Sequence, residues 1–453
     1  MVVLVVPEGT VNIHDYAYKD CIGITTVRFP FTLKYIGKCA FDGCSGIIDI
    51  YLPEGLEFIG DFAFSGCTGI VVLNLPDALK TIRNNAFAGC SGIVDLHLPD
   101  VLHTIGDGVF YKCTGIVDLH LPSTLKSIDK CAFDGCSGII DIRLPEGLEF
   151  IGKFAFAGCS GIVALNLPDA LKTIDDNAFY GCSGIVDLHL PDVLHSIGDG
   201  VFYKCTGITS LHLPSTLKSI GDGAFSSCSG IIDIHFSDVL QVIGCIAFTG
   251  CSGIVDLHLP DTLASIGDNA FRGCSGIVDL RLPDGLTTTG DFAFAGCSGI
   301  VNLHLPNTLE TVGDNAFRGC SGIVDLHLPD ALETIGDGAF YRCSALANLV
   351  LPAGCTSVGQ GNRIWKSGAF HGCSGLSRVL APDALVRGEL VDPAMVFEGC
   401  PVLAVGLTPS SSVPLPRRTF WHPTMHAFCT PGQRDCVLAV LVSELRSDRQ
   451  EEE

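Results

Sequence analysis

A cysteine recurs at a constant interval of 23 residues through most of the chain, and a phenylalanine three residues before it keeps the same interval. The uninterrupted series runs from Cys44 to Cys343, and Cys21 precedes it with Tyr18 in the phenylalanine position. A repeat of this length is typical of a solenoid, in which each coil buries its apolar residues only against its neighbours. The interval therefore predicts a stack of coils rather than a series of globular domains.

The residues between two such cysteines show the pattern of one coil. In the unit 90–113, apolar residues alternate with Asp95 and His97, which predicts a short β-strand. Pro99 cannot donate a hydrogen bond to a neighbouring strand, so the strand should end there. The positions expected in the core are Ile93, Leu96, Leu98, Leu102, Ile105, Val109, Phe110 and Cys113. The last three fit the inward face of a single helical turn, which Gly115 should end with a positive φ.

The consensus of the unit, L-P-x-x-L-x-x-I-G-x-x-A-F-x-G-C-x-x-[LI], resembles the BspA-like leucine-rich repeats, and it recurs from residue 1 to about residue 400. The resemblance implies an α/β repeat fold, a curved leucine-rich-repeat solenoid. Its parallel β-sheet would form the concave face, and short helical or 3₁₀ turns would form the convex face. The resemblance also implies a recognition role, because such repeats occur in surface and adhesion proteins of bacteria and protists. The family has no general catalytic residues.

Changes in the repeat predict three segments. Residues 1–407 should form the solenoid, which becomes irregular after residue 352. Residues 408–416, with the sequence TPSSSVPLP, have the composition of a linker. Residues 417–453 differ in composition from the repeats, and they are expected to form a C-terminal tail that caps the last coil or docks a partner.

A second, longer period lies above the first. The sequence KCAFDGCSGIIDI at 38–50 recurs at 130–142, a shift of 92 residues, which equals four coils. This indicates that a block of four coils was duplicated. Thr289 replaces isoleucine in one apolar column, and a weak point is expected there.

The charge of the chain limits its partners. The net charge is −22, which argues against nucleic acid and anionic membrane surfaces as ligands. A protein partner that is itself basic fits this charge better. No stretch approaches the roughly 20 apolar residues of a transmembrane helix, so no membrane insertion is expected. The sequence leaves the oligomeric state open.

The 23 cysteines bear on the compartment of the protein. The periodic ones fall at a core position beside phenylalanine, where cysteine behaves as a small hydrophobic residue. Bridging adjacent coils would distort a regular ladder, so reduced thiols and a cytoplasmic location are expected. Residues 1–6 fit the strand of a first coil better than a secretory signal. The alternative is a cell-surface location, should the N-terminus be incomplete.

Two polar columns are the main candidates for binding. Alternation along the strand sends the aspartate and the histidine of each coil outward on the concave sheet. The candidate residues are Asp95, His97, Asp118, His120, Asp187, His189, Asp233, His235, Asp256, His258, Asp325 and His327. They indicate a surface that binds a protein, although zinc could also bridge histidine and aspartate from adjacent coils. Because arginine, tyrosine and asparagine interrupt the histidine column, no metal is assigned.

A loop is the second candidate. Residues 353–369 contain seven extra residues relative to the regular repeat. Arg363, Trp365 and Lys366 in this insertion have side chains typical of binding hot spots, and loops on rigid scaffolds often bind ligands.

No catalytic site is expected. The sequence contains no nucleophile elbow, CxxC, HExxH or P-loop pattern, so neither catalytic residues nor a cofactor are assigned. The favoured function is a non-catalytic scaffold that recognises a protein partner through the concave sheet. Two alternatives stay open: an exported cell-surface adhesin, and a metal- or pH-responsive binding protein that uses the aspartate and histidine columns.

Overall fold

Successive coils of 23 residues stack on one another in the computed structural model of the chain. The chain divides into two units, Met1–Val413 and Pro414–Glu453, and every described residue lies in the first. The structure describes residues 2–361, 367–382, 391–402 and 408–409. The predicted tail 417–453 therefore lies outside the described residues, as do 410–416 of the predicted linker.

Each coil contributes one short strand to a parallel ladder, called here the front ladder. Strand Asp95–His97 belongs to it, and each of its residues pairs with the one 23 positions earlier, in the preceding coil. In the regular coils the strand ends two residues before a proline, which has no amide hydrogen for the ladder. The front-ladder strands are Val2–Val5, Ile24–Arg28, Asp49–Tyr51, Val72–Asn74, Asp95–His97, Asp118–His120, Asp141–Arg143, Ala164–Asn166, Asp187–His189, Ser210–His212, Asp233–His235, Asp256–His258, Asp279–Arg281, Asn302–His304, Asp325–His327, Asn348–Val350, Arg378–Ala381 and Thr408–Pro409.

A second parallel ladder, the side ladder, lies seven residues further along each coil. Its strands are two residues long and each ends on a buried or half-buried aliphatic residue. They are Asn12–Ile13, Tyr35–Ile36, Phe58–Ile59, Thr81–Ile82, Thr104–Ile105, Ser127–Ile128, Phe150–Ile151, Thr173–Ile174, Ser196–Ile197, Ser219–Ile220, Val242–Ile243, Ser265–Ile266, Thr311–Val312, Thr334–Ile335 and Ser357–Val358. At Thr288, beside the substituted Thr289, only an isolated bridge to Thr311 forms, so the expected weak point coincides with a missing strand.

The segment between the side ladder and the next periodic cysteine, residues 107–113 in the type coil, forms the third side of the coil. It is not helical, contrary to the prediction of short helical or 3₁₀ turns. Gly108 and Lys112 have φ values of +61° and +56°, in the left-handed region that interrupts a right-handed helix. The amides of Gly108, Phe110 and Lys112 donate to carbonyl oxygens of the next coil at 2.9, 2.8 and 2.7 Å. Only the amides between them bond within the coil, to the carbonyl three residues back. Pairing between coils therefore removes every second amide from helical bonding. One helix has both ends among the described residues, Pro393–Val396.

The prediction for Gly115 is also wrong. Its φ is not positive, and it does not end a helix. A Cβ atom at this position would lie 2.5 Å from the carbonyl oxygen of Ser91 and 2.7 Å from that of Ile93. Glycine is required here because the backbones of two coils approach each other closely.

The core consists of columns of identical residues. Seven of the eight positions predicted from the unit 90–113 are buried, and Leu98 is partly buried against them. Phenylalanine rings stack face to face along the array; Phe41 and Phe64 lie 5.2 Å apart with an interplanar angle of 1°. Each periodic cysteine from Cys67 to Cys343 donates its thiol hydrogen to the carbonyl oxygen of the phenylalanine in the preceding coil, as Cys113 does to Phe87 at 3.1 Å. The cysteine column therefore satisfies a buried acceptor and fills space at once.

The side ladder is interrupted at a regular interval. It divides into sheets of four, four, four and three strands, and new sheets begin at Thr104 and Ser196, 92 residues apart. The third interruption contains Thr288, a further 92 residues on. These three interruptions of the side ladder are called seams here. At the first two seams the Nδ1 atom of the preceding histidine, His103 or His195, lies 2.9 or 2.8 Å from the carbonyl oxygen two residues earlier. The front ladder pairs across all three seams; its own interruptions follow the strands that end at Tyr51, His97, Arg143 and His189, at other coil junctions.

Candidate functional site: the front face

The front face is the surface formed by the outward side chains of the front-ladder strands. All twelve aspartate and histidine residues predicted as binding residues lie on it, and all are exposed. Between each pair a leucine or isoleucine points into the core; Leu96, between Asp95 and His97, is 5% exposed. The strand alternation thus places the two polar columns as the sequence predicts.

The constant 23-residue interval brings identical residues side by side. Asp233 pairs with Asp256, and Asp256 pairs with Asp279, so three carboxylates follow one another along the front face. The rings of His212 and His235 stack with centroids 4.5 Å apart and an interplanar angle of 9°. The face is therefore a row of acidic groups beside a row of imidazoles and other polar side chains.

Contacts within these columns are weak. The Nδ1 atom of His97 lies 3.4 Å from Asp95 Oδ1, and the same distance separates His235 Nδ1 from Asp233 Oδ2. The four side chains are more than half exposed, and even with the imidazoles protonated such contacts contribute roughly 0–1 kcal/mol to stability. The fold does not depend on them, so these groups remain available to a ligand.

Arg281 stands in the histidine column and marks a shallow depression of about 710 Å³ on the front face. It pairs in register with His258 on one side and His304 on the other. The Nε2 atom of His304 reaches across to Asp279 Oδ1 at 3.7 Å. Among the residues that line the depression are Asp256, His258, Asp279, Arg281, Asp284 and His304. Donors and acceptors of both charges meet here, which suits hydrogen bonding to a polar surface.

Within the described ranges, no three histidine, cysteine, aspartate or glutamate side chains are grouped closely enough to hold a metal ion. Burial raises the pKa of the Cys113 and Cys182 thiols to about 12, so these two are poor nucleophiles. The thiolate is therefore scarce at neutral pH.

A third column on this side of the coil was missed in the sequence. The residue before each aspartate position is an exposed valine or isoleucine in twelve coils, with 36% to 55% of its surface accessible. This aliphatic column consists of Ile48, Val71, Val94, Val117, Ile140, Val163, Val186, Ile232, Val255, Val278, Val301 and Val324. The signal was the pair of consecutive aliphatic residues in G-I-V-D, of which only one can face the core.

The predicted binding loop residues Arg363, Trp365 and Lys366 lie outside the described residues. Across the described part of the chain, no helix has the length and apolar character needed to cross a bilayer.

Comparison with known proteins identifies the family of the repeat. The family model described as "BspA type Leucine rich repeat region (6 copies)" matches residues 11–140, 135–255 and 241–377. No curated protein sequence matches the chain. A leucine-rich repeat protein from Bacteroides ovatus is 27% identical, with 69% of this chain and 78% of that one covered and a TM-score of 0.60. A leucine-rich cell surface protein from Faecalibacterium prausnitzii is 22% identical, with 74% and 87% covered and a TM-score of 0.45. The chain belongs to the BspA-type leucine-rich repeat family.

Proposed function

We propose that this protein is a non-catalytic recognition scaffold that binds a protein partner through its front face. The observation that supports this most directly is the exposure of the aspartate and histidine columns, which contribute little to the fold. A rigid array presents many such groups at fixed spacing, and repeated weak contacts add up to useful avidity. Leucine-rich repeat scaffolds are typically interaction or surface proteins, which agrees with this role.

The acidity of the front face determines the kind of partner. Its carboxylates lie in register on adjacent strands, and the net charge of the chain is −22. Complementary charge favours encounter with a basic surface and suppresses binding to acidic ones. The partner in this proposal is therefore a protein with a basic binding surface.

The test is a capture experiment with the full chain immobilised. The front variant combines Asp233→Ala, His235→Ala, Asp256→Ala and His258→Ala. The control variant, Glu310→Ala with Glu333→Ala, removes two exposed carboxylates beside the side ladder. A partner should be retained by the unsubstituted chain and by the control, and lost from the front variant. Retention of the same proteins by the front variant would contradict the proposal.

Zinc titration of the same variants separates the scaffold from the metal-responsive alternative. A recognition scaffold takes up no stoichiometric zinc, whereas a metal ladder would lose its zinc when His235 and His258 are replaced.

A cytoplasmic location is also proposed, because reduced thiols suit the core. The thiol of each periodic cysteine is used as a hydrogen-bond donor to a buried carbonyl oxygen, and a disulfide would remove that donor. Counting thiols in the purified native protein, with and without denaturant, tests this. Free thiols that react only after unfolding would support it. Disulfides would favour the cell-surface adhesin instead.

A further inference from the structure

The aliphatic column is an unusual surface for a highly charged protein. It is unbroken over seven successive coils, from Ile48 to Val186, and again over five coils from Ile232 to Val324. Neighbouring members are also joined through their backbones, since the amide of Val94 donates to the carbonyl oxygen of Val71 at 2.9 Å. Extended apolar surface of this kind marks an interaction site more often than a solvated face.

The fold does not require aliphatic residues at these positions. Thr209 occupies the column between its two runs and is exposed like its neighbours. The core position is filled by the preceding residue, such as Ile93, which is fully buried. Valine and isoleucine therefore serve the surface of the coil and not its interior.

The flanks of the column differ. On one side the next residue is an aspartate in most coils of the first run: Asp49, Asp95, Asp118, Asp141 and Asp187. On the other side, three residues before the column, stand exposed serine or threonine hydroxyl groups, such as Ser91 and Thr114. A second copy of this chain would offer no lysine or arginine beside its own column, because its flanks carry the same carboxylates and hydroxyl groups. The flanks instead suit a partner with an apolar stripe and lysine or arginine along one edge.

The spacing of the column selects the conformation of that partner. Adjacent coils lie roughly 4.8 Å apart, and one turn of an α-helix rises about 5.4 Å. Residues on one face of an extended strand are about 6.7 Å apart, a poorer match. Seven coils span about 29 Å, the length of a helix of about 19 residues.

We propose that the aliphatic column of the first run, Ile48 to Val186, binds an amphipathic α-helix laid along the stack. Its apolar stripe contacts the aliphatic column and its basic edge faces the aspartate column. This inference rests on the proposed recognition function and adds the structural class of the partner segment. It uses the helix-in-groove mode of recognition, with anchors at i, i+3, i+4 and i+7.

The experiment measures binding of a designed peptide to the full chain. The probe is a fluorescent peptide of about 19 residues with a leucine stripe at helical spacing and lysines along one edge. The comparison peptide has the same composition in scrambled order, so its charge and hydrophobicity are unchanged. At physiological salt, the helical peptide should bind at least tenfold more tightly. Equal affinity of the two peptides would overturn the proposal, because binding would then depend on composition and charge and not on the helical arrangement of the leucines.

Substitutions in the column provide the second arm. Val94→Thr, Val117→Thr and Ile140→Thr together should weaken binding of the helical peptide at least tenfold. The matched control is Val101→Thr with Val193→Thr, since these two valines are each 47% exposed but lie outside the column. The control should bind within twofold of the unsubstituted chain, and equal losses in both variants would overturn the proposal.

Two further outcomes separate the possibilities. A dimer that forms with increasing concentration and disappears in the threonine variant would assign the column to a second copy and overturn the proposal. A captured partner that is lost from the aspartate and histidine variant yet retained by the threonine variant would also overturn it. In that case the proposed function stands and only the helical partner fails.

Discussion

Alkaline pH should unfold this protein through its buried thiols. Burial raises the pKa to about 12 for six of them: Cys113, Cys182, Cys228, Cys297, Cys343 and Cys355. An unfolded thiol ionises with a pKa of about 8.5 to 9. Because the folded pKa is the higher one, the thiols stabilise the fold fully below about pH 8.5, and this stability is lost as pH rises towards 12.

The size of the effect follows from the difference in pKa. At about pH 10, an unfolded thiol is about nine-tenths ionised and a folded one hardly at all, which costs the fold about 1.4 kcal/mol per thiol. Six thiols therefore cost about 8 kcal/mol, comparable with the entire stability of many domains. Burial also raises the pKa values of Cys90 and Cys159, so the effect of these two thiols has the same sign.

The assay is urea unfolding under reducing conditions at about pH 8 and about pH 10, followed by circular dichroism, with thiolate absorption read on the same samples. The urea midpoint should fall steeply at the higher pH, and thiolate should appear together with unfolding. Cys182→Ser should reduce the loss of unfolding free energy between about pH 8 and about pH 10 by about 1.4 kcal/mol in total. Cys21→Ser, at an exposed position, is the control and should leave it unchanged. Equal midpoints at the two pH values would refute the reasoning.

Three other substitutions test the packing, each by thermal or urea unfolding. Phe202→Ala should cost roughly 3–5 kcal/mol because its ring stacks on both sides at 5.7 and 5.4 Å, whereas Phe31→Ala, at a 78% exposed position, should be neutral. Gly115→Ala should destabilise the fold strongly, because the new Cβ would lie 2.5 Å from a carbonyl oxygen. Gly23→Ala is the control and should not destabilise it, because no atom lies within 4 Å of the new Cβ. Equal effects of the two substitutions would contradict the close-approach argument. Burial raises the pKa of the Asp314 carboxyl, so its ionised form destabilises the folded state. Asp314→Asn should therefore raise the free energy of unfolding by less than about 1 kcal/mol at neutral pH, and leave it unchanged in acid, where the carboxyl is already protonated. A destabilised Asp314→Asn variant would mean that the charge is needed.

The architecture could be predicted because the repeat imposes it on every coil. A phenylalanine or a cysteine that recurs at a fixed interval can only form a column, and its apolar character places that column inside. The alternation around Asp95 and His97 determined in the same way which side chains face outward. These predictions needed only the sequence of one coil and the number of its copies.

Contacts between coils were not accessible in that way. The apolar side chains from Val109 to Cys113 have helical spacing, yet every second amide in this segment donates to the next coil. The sequence of one coil cannot reveal hydrogen bonds to another. Gly115 looked like a helix terminator for the same reason. Val94 was not singled out although Ile93 was expected in the core, because one exposed valine in a single coil becomes part of an apolar surface only when stacking aligns it with its copies.

The seams in the side ladder have a mechanical consequence. At each seam the front-ladder strands are paired and the side-ladder strands are not, so the two coils are joined there by the front and the core alone. Because the joints recur every 92 residues, the distance at which the sequence itself is repeated, each added block brings its own joint. An array that grows by such blocks gains one junction without side-ladder pairing for every four coils, so the density of these junctions stays constant as the array lengthens.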